Sequence, residues 1–490
     1  YVLCRFEAVL SVVDLATRSE CARIAFHDAT PVPIRAGRRH LFDTHATSGL
    51  GQASCASCHI DARTDHLAWD LGDPSGTMAP LDGNNLAAGN PLLLEDKALR
   101  RGAFEPFHPM KGPMTTQTLQ AIIGTEPLHW RGDRAGLEDF AGAFVSLLGG
   151  DAAPDARALA ELEDFLATIA IPPNPFRTLE NELPNELVLP GHFTTGRFSP
   201  AGAPLPPGNA RRGLELFRTA KLDNGRVNCV NCHTLPSGLG PDRSLVDGRY
   251  VQLPPGPRGE RHHMLVSMDG STNAVMKVPQ LRTLYTKVGF TLSERASRLG
   301  FGFLHDGSVD SLARFLNEPQ FSLTSDQDTA DLVAFLLAFA GSDLPVGSAT
   351  NAEEPLGPPS QDTHAGVGRQ LTLRKTPSAA EAELLARFLA LAAAGRVGLV
   401  VHGARDGLAR AWCLVAPDTF QSDREKERFS LAELCAPLGP GRELTFTLVP
   451  RGSERRLALD RDRDGVFDRD ELDQLDRGGD PADPARRPTR

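Results

Sequence analysis

The stretch GQASCASCHIDARTDHLAWD, residues 51–70, places two cysteines and a histidine in the order C-x-x-C-H. Two thiols at positions i and i+3 lie on adjacent turns of one short helix, and the next residue presents an imidazole beside them. With 8 Cys and 14 His among 490 residues, chance predicts about 0.004 copies of this order. The chain contains two copies, formed by Cys55, Cys58 and His59, and by Cys229, Cys232 and His233.

The doubled motif is typical of c-type haem attachment, in which both thiols bond the vinyl groups of one porphyrin and the imidazole ligates the iron. A zinc site is the first rival interpretation. Zinc ribbons bring their cysteine pairs within about 15 to 20 residues, whereas these pairs begin 229 − 55 = 174 residues apart. A thioredoxin-type dithiol is the second rival, but no βαβ pattern accompanies either motif. The sequence therefore predicts two covalently bound haem c groups.

The composition indicates a globular chain of about three domains. Hydrophobic residues make up 41% of it, and 52 basic against 62 acidic residues give a net charge of −10. This charge argues against a nucleic-acid partner and leaves small neutral or cationic partners open. The most apolar stretch, residues 383–401, is interrupted by charged side chains, so we expect no membrane span.

The four cysteines outside the motifs form two pairs that are local in sequence. Disulfides joining Cys4 to Cys21 and Cys413 to Cys435 would indicate an oxidising compartment, and buried free thiols are the alternative. Covalent haem c also points outside the cytoplasm. Because the chain starts at Tyr1 without a signal peptide, we expect a processed or trimmed chain that is periplasmic or extracellular.

The surroundings of the two motifs repeat. A Leu-Phe pair precedes each motif, and an apolar helical stretch follows each, LEDFLATIAI (162–171) and LVAFLLAFA (332–340). Similar units in tandem indicate a mainly α fold with two c-type cytochrome domains, residues 31–171 and 210–341. Residues 172–209 are rich in proline, cannot form a continuous helix, and are a predicted crossover.

Four further segments complete the predicted organisation. Residues 1–30 alternate as strands do and resemble one repeat of a β-propeller, so we expect the end of a larger β domain there. Residues 342–365 are rich in helix and strand breakers and form a predicted linker. Short strands around a helix indicate a small mixed α/β domain over residues 366–455, followed by a loop and tail over residues 456–490.

The loop of the last segment has a metal-binding pattern. DRDRDGVFDRDE, residues 460–471, matches D-x-[DN]-x-[DN]-G-x₅-E, whose hard oxygen ligands suit Ca²⁺. The upstream stretch LTFTLVP is strand-like, so we expect an isolated calcium loop rather than a helix pair, and a structural clamp rather than a sensor. A solvated acidic turn is the alternative. The predicted ligands are Asp460, Asp462, Asp464, Val466 through its carbonyl, Asp468 and Glu471.

Three further stretches accompany the cysteine motifs: LHWRGDR (128–134), MKVPQLRTLYTKVGF (276–290) and GFLHDGSVDSL (302–312). Together with the doubled C-x-x-C-H, they make residues 35–340 resemble the bacterial di-haem cytochrome c peroxidase superfamily. This superfamily also holds the di-haem enzyme that matures methylamine dehydrogenase and the extracellular rubber oxygenases. The resemblance implies an oxidoreductase that receives electrons from a small redox partner.

The resemblance also implies a role for each haem. The N-terminal haem, with His59 as its proximal ligand, is the one at which peroxide or O₂ reacts, and His59 belongs to the catalytic site. The C-terminal haem, with His233 as its proximal ligand, exchanges electrons. Trp130 lies between the two haems as the catalytic electron bridge, and a large packing residue is the alternative interpretation.

Two departures from the superfamily pattern stand out. Peroxidases of this kind carry a distal glutamate after the tryptophan, because cleavage of the O–O bond requires a group that moves a proton. Here that segment, residues 135–150, has Glu138 and Asp139 early and is otherwise apolar, with Phe140 and Phe144. An apolar distal wall favours O₂ or an organic substrate over fast peroxide cleavage.

The second departure concerns the sixth ligands of the irons. Relatives place Met or Tyr fourteen residues after the histidine of the H-D-G motif, where this chain has Pro319. His305 is therefore the first candidate ligand of the second iron, and a hydrogen bond from His305 to a propionate or the backbone is the alternative. Behind it come Met268, Met276, His262 and His263, and the candidates for the first iron are His66, Met78, Met114 and His129.

Three functions remain open from the sequence. A peroxidase-like or rubber-oxygenase-like enzyme would react at the His59 haem. A pure electron-transfer cytochrome would have two six-coordinate irons and no substrate pocket. A surface-displayed binding module would keep the haems and act through the ends of the chain.

Overall fold

The structure is a computed structural model. It describes the whole chain except residues 5, 27, 29, 73–74, 78–111, 133, 224, 226, 241–242, 247–248, 253–263, 267–274, 289–301, 352 and 489–490.

The fold class differs from the prediction. The structure is 28% helix and 18% strand and contains a six-stranded sheet. The mainly α class predicted from the motifs is therefore wrong, because strands with distant partners add a sheet that the motifs do not reveal. Within the described residues, no helix has the length and apolar character needed to cross a membrane.

The helices of the described residues are α1 (Val32–Phe42), α2 (Thr44–Thr47), α3 (Cys55–Cys58), α4 (Ala141–Ser146), α5 (Ala156–Ala167), α6 (Ala210–Thr219), α7 (Cys229–Cys232), α8 (Leu312–Leu316), α9 (Asp326–Leu337), α10 (Ala379–Ala393), α11 (Leu431–Cys435), α12 (Glu454–Ala458) and α13 (Asp468–Leu472). The strands are β1 (Val2–Cys4), β2 (Val9–Asp14), β3 (Ser19–Ala25), β4 (Ala68–Trp69), β5 (Met114–Thr115), β6 (Arg243–Val246), β7 (Arg249–Gln252), β8 (Met264–Val266), β9 (Val275–Lys277), β10 (Gln370–Leu373), β11 (Gly398–Arg405), β12 (Leu408–Ala416), β13 (Thr419–Ser422), β14 (Arg428–Phe429) and β15 (Leu444–Val449).

The chain forms two compact units, and both C-x-x-C-H motifs belong to the same one. The sheet unit comprises Tyr1–Arg35, Thr178–Asn181 and Thr363–Arg490. The motif unit comprises Ala36–Arg177 and Glu182–Asp362. The finer division into two cytochrome domains, a crossover, a linker and a small α/β domain stays a prediction.

In the sheet unit, six antiparallel strands follow the order β10-β15-β11-β12-β13-β14. Helix α10 covers one face and begins at a capping box in which Ser378 and Glu381 satisfy each other's backbone N–H groups. Phe388 of this helix packs with Trp412 and Phe446 of the strands, and all three are almost fully buried. Replacing one such aromatic side chain with alanine costs about 3–5 kcal/mol, so this cluster stabilises the unit.

The opposite face of the sheet is covered by the chain that follows β15. Side chains alternate along a strand, so Val400 and Cys413 point to this face, where they pack with Leu459 and Phe467. Cys435 packs with the cluster on the first face. Cys413 and Cys435 are therefore free thiols on opposite sides of the sheet, and the disulfide between them is not formed.

The N-terminal residues form a separate three-stranded sheet, β1-β2-β3. Cys4 lies on β1 opposite Val9, and Cys21 lies on β3 at a bulge, two strands away. Because neighbouring strands are about 4.8 Å apart, this separation exceeds the Cα distance of about 7 Å that a disulfide can bridge. Both thiols are free. The relation of this sheet to a β-propeller stays a prediction.

In the motif unit, two helix pairs cross at a glycine in the same way. An added Cβ on Gly37 of α1 would meet the Cβ of Phe165 on α5 at 2.4 Å and a carbonyl oxygen one turn earlier on α5 at 1.9 Å. An added Cβ on Gly213 of α6 would meet the Cβ of Phe335 on α9 at 2.7 Å and the carbonyl oxygen one turn earlier at 2.0 Å. The helices preceding the two motifs therefore pack with the same close approach, which only glycine permits.

Candidate redox site

The first motif is one helical turn, Cys55–Cys58, that starts at a capping box of Ser54 and Ser57. His59 follows this turn, and its Nδ1 lies 2.8 Å from the carbonyl oxygen of Gln117. Burial lowers the pKa of His59, so the neutral ring is favoured. The Nδ1–H group donates to the carbonyl, which leaves the lone pair of Nε2 for a metal ion.

The second motif repeats this arrangement with other partners. Its turn, Cys229–Cys232, starts at a capping box of two asparagines. The Nδ1 atom of His233 lies 3.2 Å from the carbonyl oxygen of Gly238 and 3.1 Å from that of Pro279. Burial lowers the pKa of His233 as well, and its Nε2 is again the atom left for a metal.

The four motif thiols are not arranged as a shared zinc site. Burial raises the pKa of Cys229 to about 12 and that of Cys232 to about 11, and it also raises the pKa values of Cys55 and Cys58. Among the described residues, the group of His, Cys, Asp or Glu side chains whose ligand atoms are close enough to hold one ion consists of aspartates alone. The zinc interpretation therefore lacks the ligand cluster that it requires.

Trp130 lies between the segments that hold the two histidines. The indole is 8% exposed, and its Nε1–H donates to the carbonyl oxygen of Thr115 at 2.8 Å. The carbonyl oxygen of Trp130 accepts the backbone N–H of Lys277 at 2.7 Å. The first hydrogen bond fixes the orientation of the indole, and the second holds the backbone of Trp130 to the segment of Lys277.

These contacts form a continuous route through the protein from one motif histidine to the other. Gln117, which orients the first histidine, is two residues from Thr115, and Thr115 accepts the indole N–H of Trp130. Lys277, which donates to Trp130, is two residues from Pro279, and Pro279 orients the second histidine. Four hydrogen bonds and two short backbone segments therefore connect the two imidazoles.

An open cavity beside Trp130 is lined by three basic side chains, Lys277, Arg282 and Lys287. Burial lowers the pKa of Lys277 to about 7, that of Lys287 to about 8 and that of Arg282 to about 10. The ammonium of Lys287 lies 4.8 Å from the centroid of the Trp130 ring. No carboxylate lines this cavity within the described part of the chain, so the cavity suits an anionic group.

The sequence motifs do not single out these three cations. Their regular spacing of five residues within the otherwise mainly apolar stretch 276–290 is the signal that marks them.

The residues of both motifs fit covalently bound haem. Each motif offers two thiols on one helical turn and an imidazole whose Nε2 is available. The cationic cavity supplies partners for anionic groups such as porphyrin propionates.

His305, the predicted sixth ligand of the second iron, is half-buried in a turn closed by the pairing of Phe303 with Val309. Its carbonyl oxygen accepts the N–H of Thr115 at 2.7 Å, beside the hydrogen bond from Trp130. Ligation by its ring stays a prediction. Of the other candidates, His66, Met114 and His129 are described, whereas Met78, Met268, His262, His263 and the side chain of Met276 lie outside the described residues.

The segment after Trp130 places no acidic side chain at the cavity. Glu138 and Asp139 are exposed, and Asp139 accepts the N–H of Ala135 at 2.7 Å. Phe144 is buried, and the ring of Phe140 packs edge-on against His129 with centroids 4.7 Å apart. The role of this segment as an apolar distal wall stays a prediction.

The acidic loop brings its aspartates together. The ligand atoms of Asp460, Asp462 and Asp464 lie within 4.8 Å of one another, and Gly465 has a φ of +98°, which permits the sharp turn. Glu471 is fully buried, and burial together with the nearby aspartates raises its pKa to about 7. The short helices α12 and α13 flank the loop, so the expectation of an isolated loop without flanking helices is wrong.

Comparison with known proteins adds little to this geometry. No family model and no curated protein matches the chain. The chain is similar to a solved structure titled "Kuenenia stuttgartiensis Hydrazine Synthase Pressurized with 20 bar Xenon", with 17% identity and a TM-score of 0.36, over 64% of this chain and 89% of that chain. A likeness of this extent carries no argument about fold or function.

Proposed function

We propose that the chain is a di-haem c-type oxidoreductase, with one haem attached at each C-x-x-C-H motif. The observation that carries this proposal is the matched orientation of His59 and His233, whose Nδ1 atoms both bond backbone carbonyl oxygens. A carbonyl acceptor on Nδ1 is the usual way to fix a metal-ligating histidine. Bound haem supplies a redox-active iron at each motif.

The protein between the motifs conducts electrons in this proposal. Trp130 provides a buried aromatic ring between the two imidazoles, and hydrogen bonds join its ends to the segments that orient them. The cation of Lys287 near the face of the ring makes removal of an electron from the indole less favourable. Trp130 therefore serves as a bridge that shortens the gap rather than as a site where an oxidised indole accumulates.

The first motif is the proposed site of reaction with peroxide or O₂. No residue of α3 is buried, whereas Val230 and Asn231 of α7 are buried. The greater exposure of the residues between Cys55 and Cys58 favours the first motif as the point of approach for a reacting molecule. Electrons from a small redox partner would enter at the second motif, and the protein would act in the periplasm or outside the cell.

A rubber-oxygenase-like reaction with O₂ is the second candidate function. The outward positions of Glu138 and Asp139 favour it, because no carboxylate of this segment is available for proton transfer during O–O cleavage. Peroxidase-like chemistry would require another proton-transfer group.

Electron paramagnetic resonance of the oxidised protein tests the proposal. An enzyme with one open iron predicts one high-spin and one low-spin ferric signal, and the variants His59→Gly and His233→Gly each remove the axial ligand of a different signal. Two low-spin signals at rest and after half-reduction would instead indicate a pure electron carrier. Peroxide turnover, set against oxygen uptake with a polyisoprene or aromatic substrate, then separates the two enzymatic candidates.

A further inference from the structure

The acidic loop, residues 460–471, contains more negative charge than its arginine neighbours neutralise. Arg455 pairs with Asp460 at 3.0 Å, Arg461 pairs with Asp468 at 3.1 Å, and Arg487 pairs with Asp464 at 2.7 Å. Three of the five carboxylates in the calcium pattern therefore have an arginine partner, whereas Asp462 and Glu471 form no ion pair within the described residues.

Buried oxygen atoms without partners show where such a cation would bind. Glu471 is 0% exposed, and within the described residues neither of its carboxylate oxygens accepts a hydrogen bond of ordinary geometry. The same holds for Oδ1 of Asp460, which is 3% exposed, and for Oδ2 of Asp462. Glu471 is close enough to Asp462 and Asp464 for their charges to repel its own. Buried carboxylate oxygen atoms without partners are costly, and coordination of a cation removes this cost.

We propose that the acidic loop binds one Ca²⁺ ion and that the bound ion keeps Leu459 and Phe467 over the thiol of Cys413. This role is independent of haem attachment and of the proposed redox function.

The contacts of the loop connect its ends to the sheet. The N–H of Asp468 donates to the carbonyl oxygen of Leu459 at 2.7 Å, which closes the loop on itself. Leu459 and Phe467 pack with Val400 and Cys413 on the outer face of the sheet. A cation that draws the carboxylates together therefore also holds the two apolar side chains in place. Without the cation, repulsion among the carboxylates favours an open loop.

A second connection joins the helix after the loop to the edge of the sheet. The N–H of Arg469 donates to the carbonyl oxygen of Asp423 at 3.0 Å, and the N–H of Glu425 donates to the carboxylate of Asp470 at 2.8 Å. These bonds hold α13 against the chain between β13 and β14. The cation site therefore stabilises this edge as well as the cover over Cys413.

The ligand set favours Ca²⁺ over other cations. All side-chain ligands are oxygen atoms, which disfavours zinc, because zinc prefers nitrogen and sulfur. Mg²⁺ requires a rigid octahedral site and usually keeps several waters. A loop with three aspartates, a carbonyl and a terminal glutamate offers the larger and more flexible shell that Ca²⁺ takes.

The rate of Cys413 alkylation measures directly how well Leu459 and Phe467 shield the thiol. The full-length protein is treated with a chelator, divided, and incubated with iodoacetamide with or without CaCl₂, and peptide mass spectrometry follows Cys413 and Cys435. At CaCl₂ of about ten times the dissociation constant, alkylation of Cys413 is expected to slow about tenfold, as linkage between binding and closure requires. Cys435, which packs on the other face of the sheet, serves as the internal control and changes less than twofold.

Two variants that each remove one negative charge distinguish loss of a calcium ligand from a general change in charge. Glu471→Gln removes a buried ligand and is expected to abolish both the calorimetric binding of CaCl₂ and the protection of Cys413. Asp476→Asn changes an exposed carboxylate of the tail and is expected to retain both. If Glu471→Gln does not fold, Asp462→Asn removes a half-exposed ligand of the same site and carries the same expectation.

Three results would overturn the proposal. The first is that the wild-type protein releases or absorbs no heat on addition of CaCl₂ and that the rate of Cys413 alkylation does not depend on Ca²⁺. The second is equal protection by MgCl₂, and the third is equal loss in the Asp476→Asn control. The same mass spectra report whether the four motif cysteines carry haem, so failure of the redox proposal is seen separately.

Discussion

The two C-x-x-C-H motifs have the same sequence pattern and the same helical turn, but different parts of the chain hold them. His59 depends on Gln117, which is 58 residues away, and no residue of its helical turn is buried. His233 bonds the nearby Gly238 as well as Pro279, and its turn contributes Val230 to the large core of the motif unit. The comparison teaches that an identical attachment motif can be built into a core or placed near the surface.

This difference suits a division of labour between the motifs. A centre that exchanges electrons works well when it is buried and rigid, because rigid surroundings keep its potential fixed. A centre that reacts with a small molecule needs access. The residues between the cysteines are buried in the second motif and not in the first, whereas the cysteines and histidines of both motifs are half-buried.

Removal of the cysteine pairs gives the largest expected difference between the motifs. The double variants Cys55→Ala/Cys58→Ala and Cys229→Ala/Cys232→Ala should each lose one haem in intact mass. The second variant should also unfold about 4 °C lower than the first, the shift that about 3 kcal/mol produces in a unit of this size. The helical turn of the second motif contributes Val230 to the larger core. Equal melting temperatures would contradict the distinction between a buried and an open motif.

Substitutions at the two helix crossings, α1 with α5 and α6 with α9, test whether both helix pairs depend on the same close packing. Gly37→Ala and Gly213→Ala should each destabilise the protein by about 3 kcal/mol, since the added Cβ meets a carbonyl oxygen at 1.9 and 2.0 Å. Denaturant unfolding measures the free energy. Gly142→Ala is the control, because its Cβ meets nothing within 4 Å, and it should be neutral or stabilising by up to about 1 kcal/mol. If only one of the two substitutions lowers the free energy of unfolding, the repeat is present in the sequence but not in the packing of the helices.

The reactivity of the motif thiols, measured in the chain before haem attachment, gives a further comparison of the two motifs. Alkylation requires the thiolate, and a raised pKa lowers the thiolate fraction at pH 8. With pKa values of about 12 and about 11, Cys229 and Cys232 should react at least about tenfold more slowly than Cys58 in the folded chain. Their rates should rise as pH increases toward these pKa values.

Unfolding in guanidinium is the control for thiol reactivity, because it should make the four rates similar. Equal rates for the two motifs in the folded chain would contradict the burial difference. Peptide mass spectrometry resolves each cysteine.

The smallest expected change in stability concerns the bridge between the motifs. Trp130→Phe removes the hydrogen bond to Thr115 and should cost about 1 kcal/mol of unfolding free energy. Electron transfer between the haems, followed by stopped-flow reduction, should slow while haem content stays unchanged. Trp69→Phe is the matched control, since Trp69 is exposed and should leave the transfer rate unchanged. An unchanged rate in Trp130→Phe would reduce the indole to a packing residue.

The local parts of the site could be predicted from the sequence. Spacing alone places two thiols and an imidazole on one turn, because helix geometry is local. The acidic pattern likewise brings Asp460, Asp462 and Asp464 within 4.8 Å, and Gly465 has the positive φ that its position in the pattern requires. The prediction of short strands around a helix over residues 366–455 agrees with β10–β15 and α10, which lie in that range.

The distant parts of the site could not be predicted from the sequence. The carbonyl acceptors of Gln117 and Pro279 belong to the backbone, so no side-chain pattern marks them. The strand order of the six-stranded sheet depends on pairing across long separations, as between β10 and β15. The mainly α class is wrong because the helices around the motifs are short and the strands over residues 366–455 join into one six-stranded sheet.

Intact mass spectrometry of the mature protein tests the central claim most directly. We predict the mass of the polypeptide plus two haem groups, retained after extraction with acidified acetone, and one haem on each peptide that contains a C-x-x-C-H motif. A protein with the mass of the bare polypeptide, or one that loses all its colour to the solvent, would contradict the account.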